Sequence, residues 1–224
     1  MNRTRASLVA LWTAGLLCLF LAGCDNDQPR YASLPADATV LAFGDSVTHG
    51  TGAGIGEDYP TLLARASGWR VLNGGMPGDM AARANDRLVP LLREYQPDLV
   101  LISLGGNDLL RRRSEGTVKE DLRQIVATVR SAGSLPVLIA VPEVSAVRAT
   151  LGNLKDAALY RELAVEEDLL LIEGVFAEVL SRSELRTDPI HPNAKGYRHF
   201  ANRVLEALED AGLYQPGQPP LTSD

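Results

Sequence analysis

Four short polar segments of the chain hold the residues that could carry out chemistry. The first contains Ser46, the second Gly78 and the third Asn107, while the last contains Asp188 and His191 three positions apart. A serine hydroxyl is a weak nucleophile by itself and needs an adjacent base such as histidine, which a carboxylate can orient. These residue types therefore predict acyl transfer, with Ser46 as nucleophile and the Asp188–His191 pair as its base.

Acyl transfer also needs hydrogen-bond donors for the negative charge that develops on the carbonyl oxygen. The backbone N–H groups of Ser46 and Gly78 and the side-chain amide of Asn107 could supply three donors. A glycine suits this position because a backbone without Cβ can approach the substrate closely. Taken singly, each residue also has a structural explanation as a helix cap or a turn residue, so the prediction depends on their meeting at one place.

Short apolar runs precede the first three segments and predict β-strands. They are continuous runs of mainly Val, Leu and Ile, which is typical of strands covered on both faces. The five predicted strands cover residues 39–43, 70–72, 98–104, 135–141 and 169–172.

Helical spacing of apolar residues fills the chain between these strands and after the last one. It is clear over residues 81–95, 118–129 and 197–208. Thr117 and Glu120 predict a capping box for the second of these helices, and Gly212 is placed to end the last one. Strand and helix in alternation predict an α/β fold with a parallel sheet. In such sheets ligands bind beyond the carboxyl ends of the strands, where the polar segments would meet.

The four segments, in this order and at these strand ends, resemble the four sequence blocks of the GDSL, or SGNH, hydrolase family. The resemblance extends over residues 39–212. It implies a three-layer, flavodoxin-like α/β/α sandwich with about five parallel strands. It also implies a catalytic set of Ser46, Asp188 and His191, and an oxyanion hole of Ser46, Gly78 and Asn107. The chain departs from the family at Pro77 and Met80, where a small polar residue and a threonine are common.

The first and last blocks are similar to those of the bacterial multifunctional esterases of this family. This similarity favours hydrolysis of carboxylic esters or thioesters of acyl substrates, as by an arylesterase or a lysophospholipase. Two alternatives stay open: a carbohydrate O-deacetylase of the cell envelope, and a non-catalytic binding lipoprotein with the same fold. Aromatic residues, on which sugars stack, make up only 5% of the chain, which favours acyl chains.

The N-terminal residues predict export and a lipid anchor. Arg3 and Arg5 precede an apolar run over residues 8–23, which is shorter than the roughly 20 residues of a membrane span. The run closes with Leu21-Ala22-Gly23-Cys24, which resembles a bacterial lipobox and implies cleavage before a lipidated Cys24. A plain signal peptide or an uncleaved anchor is the alternative. We expect the mature protein to be attached to a membrane of the bacterial envelope, on its periplasmic side.

These expectations divide the chain into four parts. They are a signal peptide at 1–23, the lipidated cysteine and a tether at 24–37, a hydrolase domain at 38–213 and a flexible tail at 214–224.

Composition excludes several other classes of protein. The formal net charge is −6, and about −8 without Arg3 and Arg5, so no basic surface for nucleic acid is expected. The glycines at 50, 52, 54 and 56 do not have the dinucleotide-binding spacing, and no P-loop occurs. They favour a loop that bends around a substrate. Three unclustered histidines give little basis for zinc, and neither a metal nor another cofactor is expected.

Overall fold

The computed structural model describes residues 31–143 and 153–217, built around one five-stranded parallel sheet. The strands are β1 (Thr39–Gly44), β2 (Arg70–Gly75), β3 (Leu99–Ser103), β4 (Leu135–Ile139) and β5 (Leu170–Ile172). They lie in the order β2-β1-β3-β4-β5, which is the flavodoxin-like order. The predicted α/β fold with about five parallel strands is confirmed.

Helices cover both faces of this sheet. They are α1 (Ser46–His49), α2 (Tyr59–Ser67), α3 (Ala81–Tyr95), α4 (Gly106–Leu110), α5 (Glu115–Ser131), α6 (Ala158–Glu166), α7 (Val175–Ser181) and α8 (Ala194–Asp210), with a 3₁₀ turn at Ser183–Leu185. Helices α2, α7 and α8 pack together, and α3, α5 and α6 form the second layer, as right-handed crossovers in this strand order require.

The strand order creates a crevice at the carboxyl edge of the sheet. From β1 the chain crosses to β2 on one side, and from β2 it passes back over β1 to reach β3 on the other side. The loops that follow β1 and β3 therefore diverge, and this switch point is where open α/β sheets bind ligands. Ser46 follows β1 and Asn107 follows β3, so the topology places both at the crevice.

The start of α5 differs from the predicted capping box. The cap is Ser114, whose extended backbone precedes the helix and whose hydroxyl accepts a hydrogen bond from the Thr117 N–H at 3.3 Å. Glu120 instead pairs with Arg123 one turn further on. The prediction of Thr117 as the cap was wrong because the helix begins three residues earlier, and the polar residues at 114 and 117 are both suited to capping.

We expect Ser114→Ala to lower the free energy of unfolding by about 1 kcal/mol, because the cap satisfies an N–H group at the helix start. Thr117→Ala is the matched control and should lower the free energy of unfolding by less, since it leaves the cap in place. Urea unfolding of both variants measures the difference. A larger loss in Thr117→Ala would restore the cap predicted from the sequence.

The two ends of the described chain are tied to each other at the amino edge of the sheet. The Tyr31 N–H donates to the Ala211 carbonyl at 3.3 Å, and the Leu34 N–H donates to the Leu213 carbonyl at 2.9 Å. Beside them the Tyr214 ring packs edge-on against Trp69, with centroids 5.3 Å apart. Backbone bonds and an aromatic contact therefore hold residues on both sides of the range 38–213.

Several sequence-based predictions concern parts of the chain outside the described residues. These are the signal peptide, the lipidated Cys24, the first part of the tether and the tail from residue 218. Between residues 31 and 217, apart from 144–152, no helix is long and apolar enough to cross a membrane.

Candidate active site

Ser46 lies at the first position of the short helix α1, directly after β1. Asp45 precedes it as the helix cap, with Oδ1 accepting from the Val47 N–H at 3.0 Å. The strand and the cap fix the backbone on both sides of Ser46, so its hydroxyl is held at the crevice.

The Asp188–His191 turn meets Ser46 from the far end of the sequence. His191 Nε2 lies 3.0 Å from Ser46 Oγ, and His191 Nδ1 lies 2.8 Å from Asp188 Oδ2. The backbone closes this turn, because the Thr187 N–H donates to the His191 carbonyl at 2.9 Å. The three residues predicted as nucleophile, base and orienting acid therefore form one continuous hydrogen-bonded chain.

Hydrogen bonds keep the Asp188 carboxylate ionised. Partial burial would raise its pKa, but the bond from the His191 ring and those from the Ile190 and His191 N–H groups outweigh this effect and lower the pKa. The two backbone bonds reach Oδ1 at 2.8 and 2.9 Å, which leaves Oδ2 for the histidine. The carboxylate is thus suited to stabilise a protonated His191.

Two backbone N–H groups at the site are free to donate. In the described part of the chain, neither the Ser46 N–H nor the Gly78 N–H has a hydrogen-bond acceptor. Gly78 has a φ of 77°, and a Cβ at that position would meet no atom within 4 Å, so the residue borders open space. This geometry suits N–H groups that donate to an oxygen of a bound substrate.

The side-chain amide of Asn107, the third predicted donor, is already engaged. Its Nδ2 donates to Asp45 Oδ2 at 3.1 Å and to the Asp79 carbonyl at 2.9 Å. An amide nitrogen carries two hydrogens, so both are used in this state. Asn107 is therefore held in a defined orientation between the loops that follow β1 and β2.

Arg87 of α3 holds the loop that carries Gly78. Its guanidinium donates to Asp79 Oδ2 at 2.6 Å and to the carbonyls of Gly74 and Gly44 at 2.5 and 3.1 Å. Those carbonyls belong to the next-to-last residue of β2 and the last residue of β1, so one side chain ties the loop to the edge of the sheet. Sequence reasoning missed this contact, because nothing in the helical spacing separates Arg87 from a surface arginine.

Asp108 joins the third block to the start of α3. Its fully buried carboxylate accepts from the Ala81 N–H at 2.9 Å and caps a helix 27 positions away in the sequence. Arg113 neutralises it with a contact of 2.5 Å and also binds Asp121. Arg113 is thus a structural residue, although it follows two exposed arginines.

The loop after α1 packs against the histidine turn. A Cβ at Gly52 would lie 2.4 Å from the Pro192 carbonyl oxygen and 2.5 Å from the Thr187 side chain, and its φ is 99°. The Tyr197 hydroxyl also donates to the Thr51 carbonyl at 2.8 Å. The glycine at 52 thus permits close packing behind His191, and the sequence prediction of a loop bent around substrate does not explain it.

An apolar cavity of about 260 Å³ opens beside Ser46. Three polar side chains also border it, namely Asp45, Asn107 and Glu143. Its apolar lining consists of Val47, Leu110, Val141, Pro142, Leu154, Phe176, Leu180, Pro189 and Ile190. Residues 144–152, which include most of the segment after the fourth strand, lie outside the described residues.

The pKa of the buried Asp45 carboxyl is shifted strongly upwards. Burial raises its pKa from 3.8 to about 6, against the opposing effects of the Val47 N–H and His191, while Asp79 adds to the increase. No arginine or lysine among the described residues pairs with it. Its ionised form is therefore held at a cost in stability.

We expect Asp45→Asn to become more stable relative to the natural protein as pH rises from 4 to 7. Native Asp45 retains its proton up to about pH 6 and the unfolded chain releases it near 3.8, so its contribution to stability falls through this window. The difference amounts to about 3 kcal/mol, which the uncharged asparagine avoids.

Denaturant unfolding at several pH values measures this change in both proteins. Asp86→Asn, at an exposed position of α3, is the control for the loss of one carboxylate. A stability difference that stays constant from pH 4 to 7 would contradict the raised pKa.

The fold and the site together define a serine hydrolase, and comparison with known proteins gives the family. The sequence pattern of the GDSL-like lipase/acylhydrolase family matches residues 42–199. The chain belongs to this family and is a serine esterase.

Individual relatives agree with this assignment. The chain is 32% identical to thioesterase 1/protease 1/lysophospholipase L1 of Escherichia coli K12 over 174 residues, covering 76% of this chain and 83% of that protein. It is 29% identical to an arylesterase of Vibrio mimicus, and the match covers 79% of this chain and 91% of that protein. The crystal structure of the psychrotrophic esterase EstA from a Pseudoalteromonas species has a similar fold, with a TM-score of 0.67 at 22% identity, covering 77% and 97%.

Proposed function

We propose that the protein hydrolyses carboxylic esters or thioesters of acyl substrates through an acyl-enzyme on Ser46. The observation that carries this proposal is the hydrogen-bonded chain from Ser46 through His191 to Asp188, with distances of 3.0 and 2.8 Å, at the end of an apolar cavity.

The reaction follows from these positions. Ser46 Oγ attacks the acyl carbonyl while His191 Nε2 takes its proton, and Asp188 stabilises the imidazolium. His191 returns the proton to the leaving alkoxide or thiolate as its bond to the acyl carbon breaks. A water molecule then attacks the acyl-enzyme with His191 as base, which releases the carboxylic acid and restores Ser46.

The oxyanion hole would consist of the Ser46 and Gly78 N–H groups and the Asn107 amide. The two backbone donors are available at once. Because both Nδ2 hydrogens of Asn107 are donated to Asp45 and Asp79, one of them must be redirected to the substrate oxygen as charge develops there. Asn107 would then contribute more in the transition state than in substrate binding.

The apolar cavity supports an acyl chain as the occupant. Phe176 is the single aromatic side chain that lines it among the described residues, and one ring gives a sugar little to stack on. The names of the E. coli and Vibrio relatives, a lysophospholipase and thioesterase and an arylesterase, support the same class of substrate. A carbohydrate deacetylase has no comparable support.

We also propose that Cys24 is lipidated after removal of residues 1–23 and anchors the enzyme on the periplasmic side of a bacterial membrane. The lipobox-like Leu21-Ala22-Gly23-Cys24 sequence supports the anchor. The polar residues 25–30 between it and the folded domain fit a connecting tether.

A series of p-nitrophenyl esters from acetate to palmitate tests the catalytic proposal. The chain from residue 25 onward contains every element described above, and we expect it to prefer medium or long acyl chains. Ser46→Ala should be inactive and should not react with a fluorophosphonate probe, yet it should unfold at the same urea concentration.

Activity confined to acetate would favour the deacetylase. Absence of both turnover and labelling in the natural sequence would leave a binding protein with a hydrolase fold.

Asn107→Ala should reduce kcat about 10²- to 10³-fold with little change in KM, because it removes one oxyanion donor. Gln124→Ala is a suitable control, since Gln124 is an exposed amide in α5 and does not line the cavity. Steady-state kinetics on a single soluble ester measures both. An unchanged kcat in Asn107→Ala would remove this residue from the oxyanion hole.

A further inference from the structure

The active site and the N-terminal end of the described chain lie at opposite edges of the sheet. Ser46 and Asn107 follow the carboxyl ends of β1 and β3. Tyr31 lies at the amino edge, where its N–H donates to the Ala211 carbonyl. A membrane anchor that precedes residue 31 is therefore joined to the side of the domain away from the catalytic crevice.

The lengths of two elements give the distance between the two edges of the sheet. Helix α8 runs from Ala194, just after His191, to Asp210, just before Ala211. Its 17 residues correspond to about 25 Å at 1.5 Å per residue. Strand β1 spans six residues between the same two edges, or about 20 Å.

The chain between Cys24 and Tyr31 is short compared with this distance. Seven residues span at most about 25 Å when fully extended. The connection could bring Cys24 level with the crevice only at its full length, extended along the side of the domain.

We propose that the anchored enzyme presents its active site away from the membrane that holds Cys24. Its substrates would be acyl esters dispersed in water, and esters embedded in the anchoring bilayer would be out of reach. This inference rests on the lipid anchor of the proposed function and on the position of residue 31.

Exposed apolar side chains at the crevice could contact a bilayer, so the length of the tether determines whether they reach it. Leu110 and Ile190 border the cavity and are 45% and 42% exposed, and Ile55 on the neighbouring loop is fully exposed. Such side chains would fit the surface of a bilayer if the mouth could turn towards it. With the natural tether they face water.

Fluorescent labels at the two ends of the domain test the orientation without relying on activity. Cys18 leaves with the signal peptide and Cys24 carries lipid, so Ile55→Cys and Gln215→Cys each introduce one free thiol. The lipidated protein, incorporated into vesicles with an acceptor dye on the lipid headgroups, should show several-fold stronger energy transfer from position 215 than from position 55. Equal transfer from both positions would overturn the proposal.

Lengthening the tether tests the consequence for substrate access. Insertion of a 30-residue Gly/Ser segment between Asp27 and Gln28 should raise hydrolysis of a vesicle-embedded long-chain ester by about tenfold, because a longer linker can span the domain. The same segment inserted after Gly217 is the matched control and should leave that rate unchanged. All forms should hydrolyse water-soluble p-nitrophenyl butyrate equally.

The outcomes separate this inference from the function on which it rests. If the natural tether already gives full activity on the embedded ester, the orientation is wrong while the esterase stands. Failure to hydrolyse the soluble ester would refute the catalytic proposal, and the label positions would still decide the orientation. A Cys24 without lipid, shown by mass spectrometry, would overturn both the anchor and the orientation.

Discussion

Three buried carboxylates hold the active-site loops together, and the geometry of the site depends on them. Asp45, Asp79 and Asp108 follow β1, β2 and β3, and each is less than a tenth exposed. A buried carboxylate must find hydrogen-bond donors or lose its charge. The donors it finds here are the other parts of the site: the Val47 N–H and the Asn107 amide, the Arg87 guanidinium, and the Ala81 N–H with Arg113.

The three carboxylates differ in how their charge is balanced. Asp79 and Asp108 each have an arginine, so their burial is compensated by an ion pair. Asp45 accepts hydrogen bonds only from neutral donors, and burial raises the pKa of its carboxyl. A cation beside Asp45 would lie next to His191 and would disfavour the imidazolium that forms during catalysis. Asp45 thus lowers the stability of the fold at a position where a positively charged partner would oppose the reaction.

The sequence predicted those parts of the fold and site that depend on local pattern. The strands begin within one residue of their predicted positions because continuous apolar runs mark them. The blocks that hold Ser46, Gly78 and Asn107 meet because each follows a strand and parallel strands end at one edge. Thr117 was mistaken for a helix cap because Ser114, three residues earlier, carries the same chemistry.

Other contacts depend on which elements become neighbours, and a single sequence does not contain that information. Arg87 reaches the carbonyls of both Gly44 and Gly74 because β1 and β2 end side by side, and this follows from the strand order, which periodicity does not reveal. The bond from Ala81 to Asp108 likewise joins segments 27 residues apart. The backbone bonds of Tyr31 and Leu34 also join segments that lie near opposite ends of the chain, at Ala211 and Leu213.

The parallel sheet also has a polarity, which determines where the catalytic residues lie relative to the two ends of the domain. All five strands point the same way, so the catalytic loops gather at the carboxyl edge. The segment that enters β1 must then lie at the amino edge, and α8, which starts beside His191, returns the chain to that same edge. An attachment before residue 31 is consequently separated from Ser46 by the full height of the sheet. The topology that assembles the catalytic residues is therefore also the one that sets which way they face.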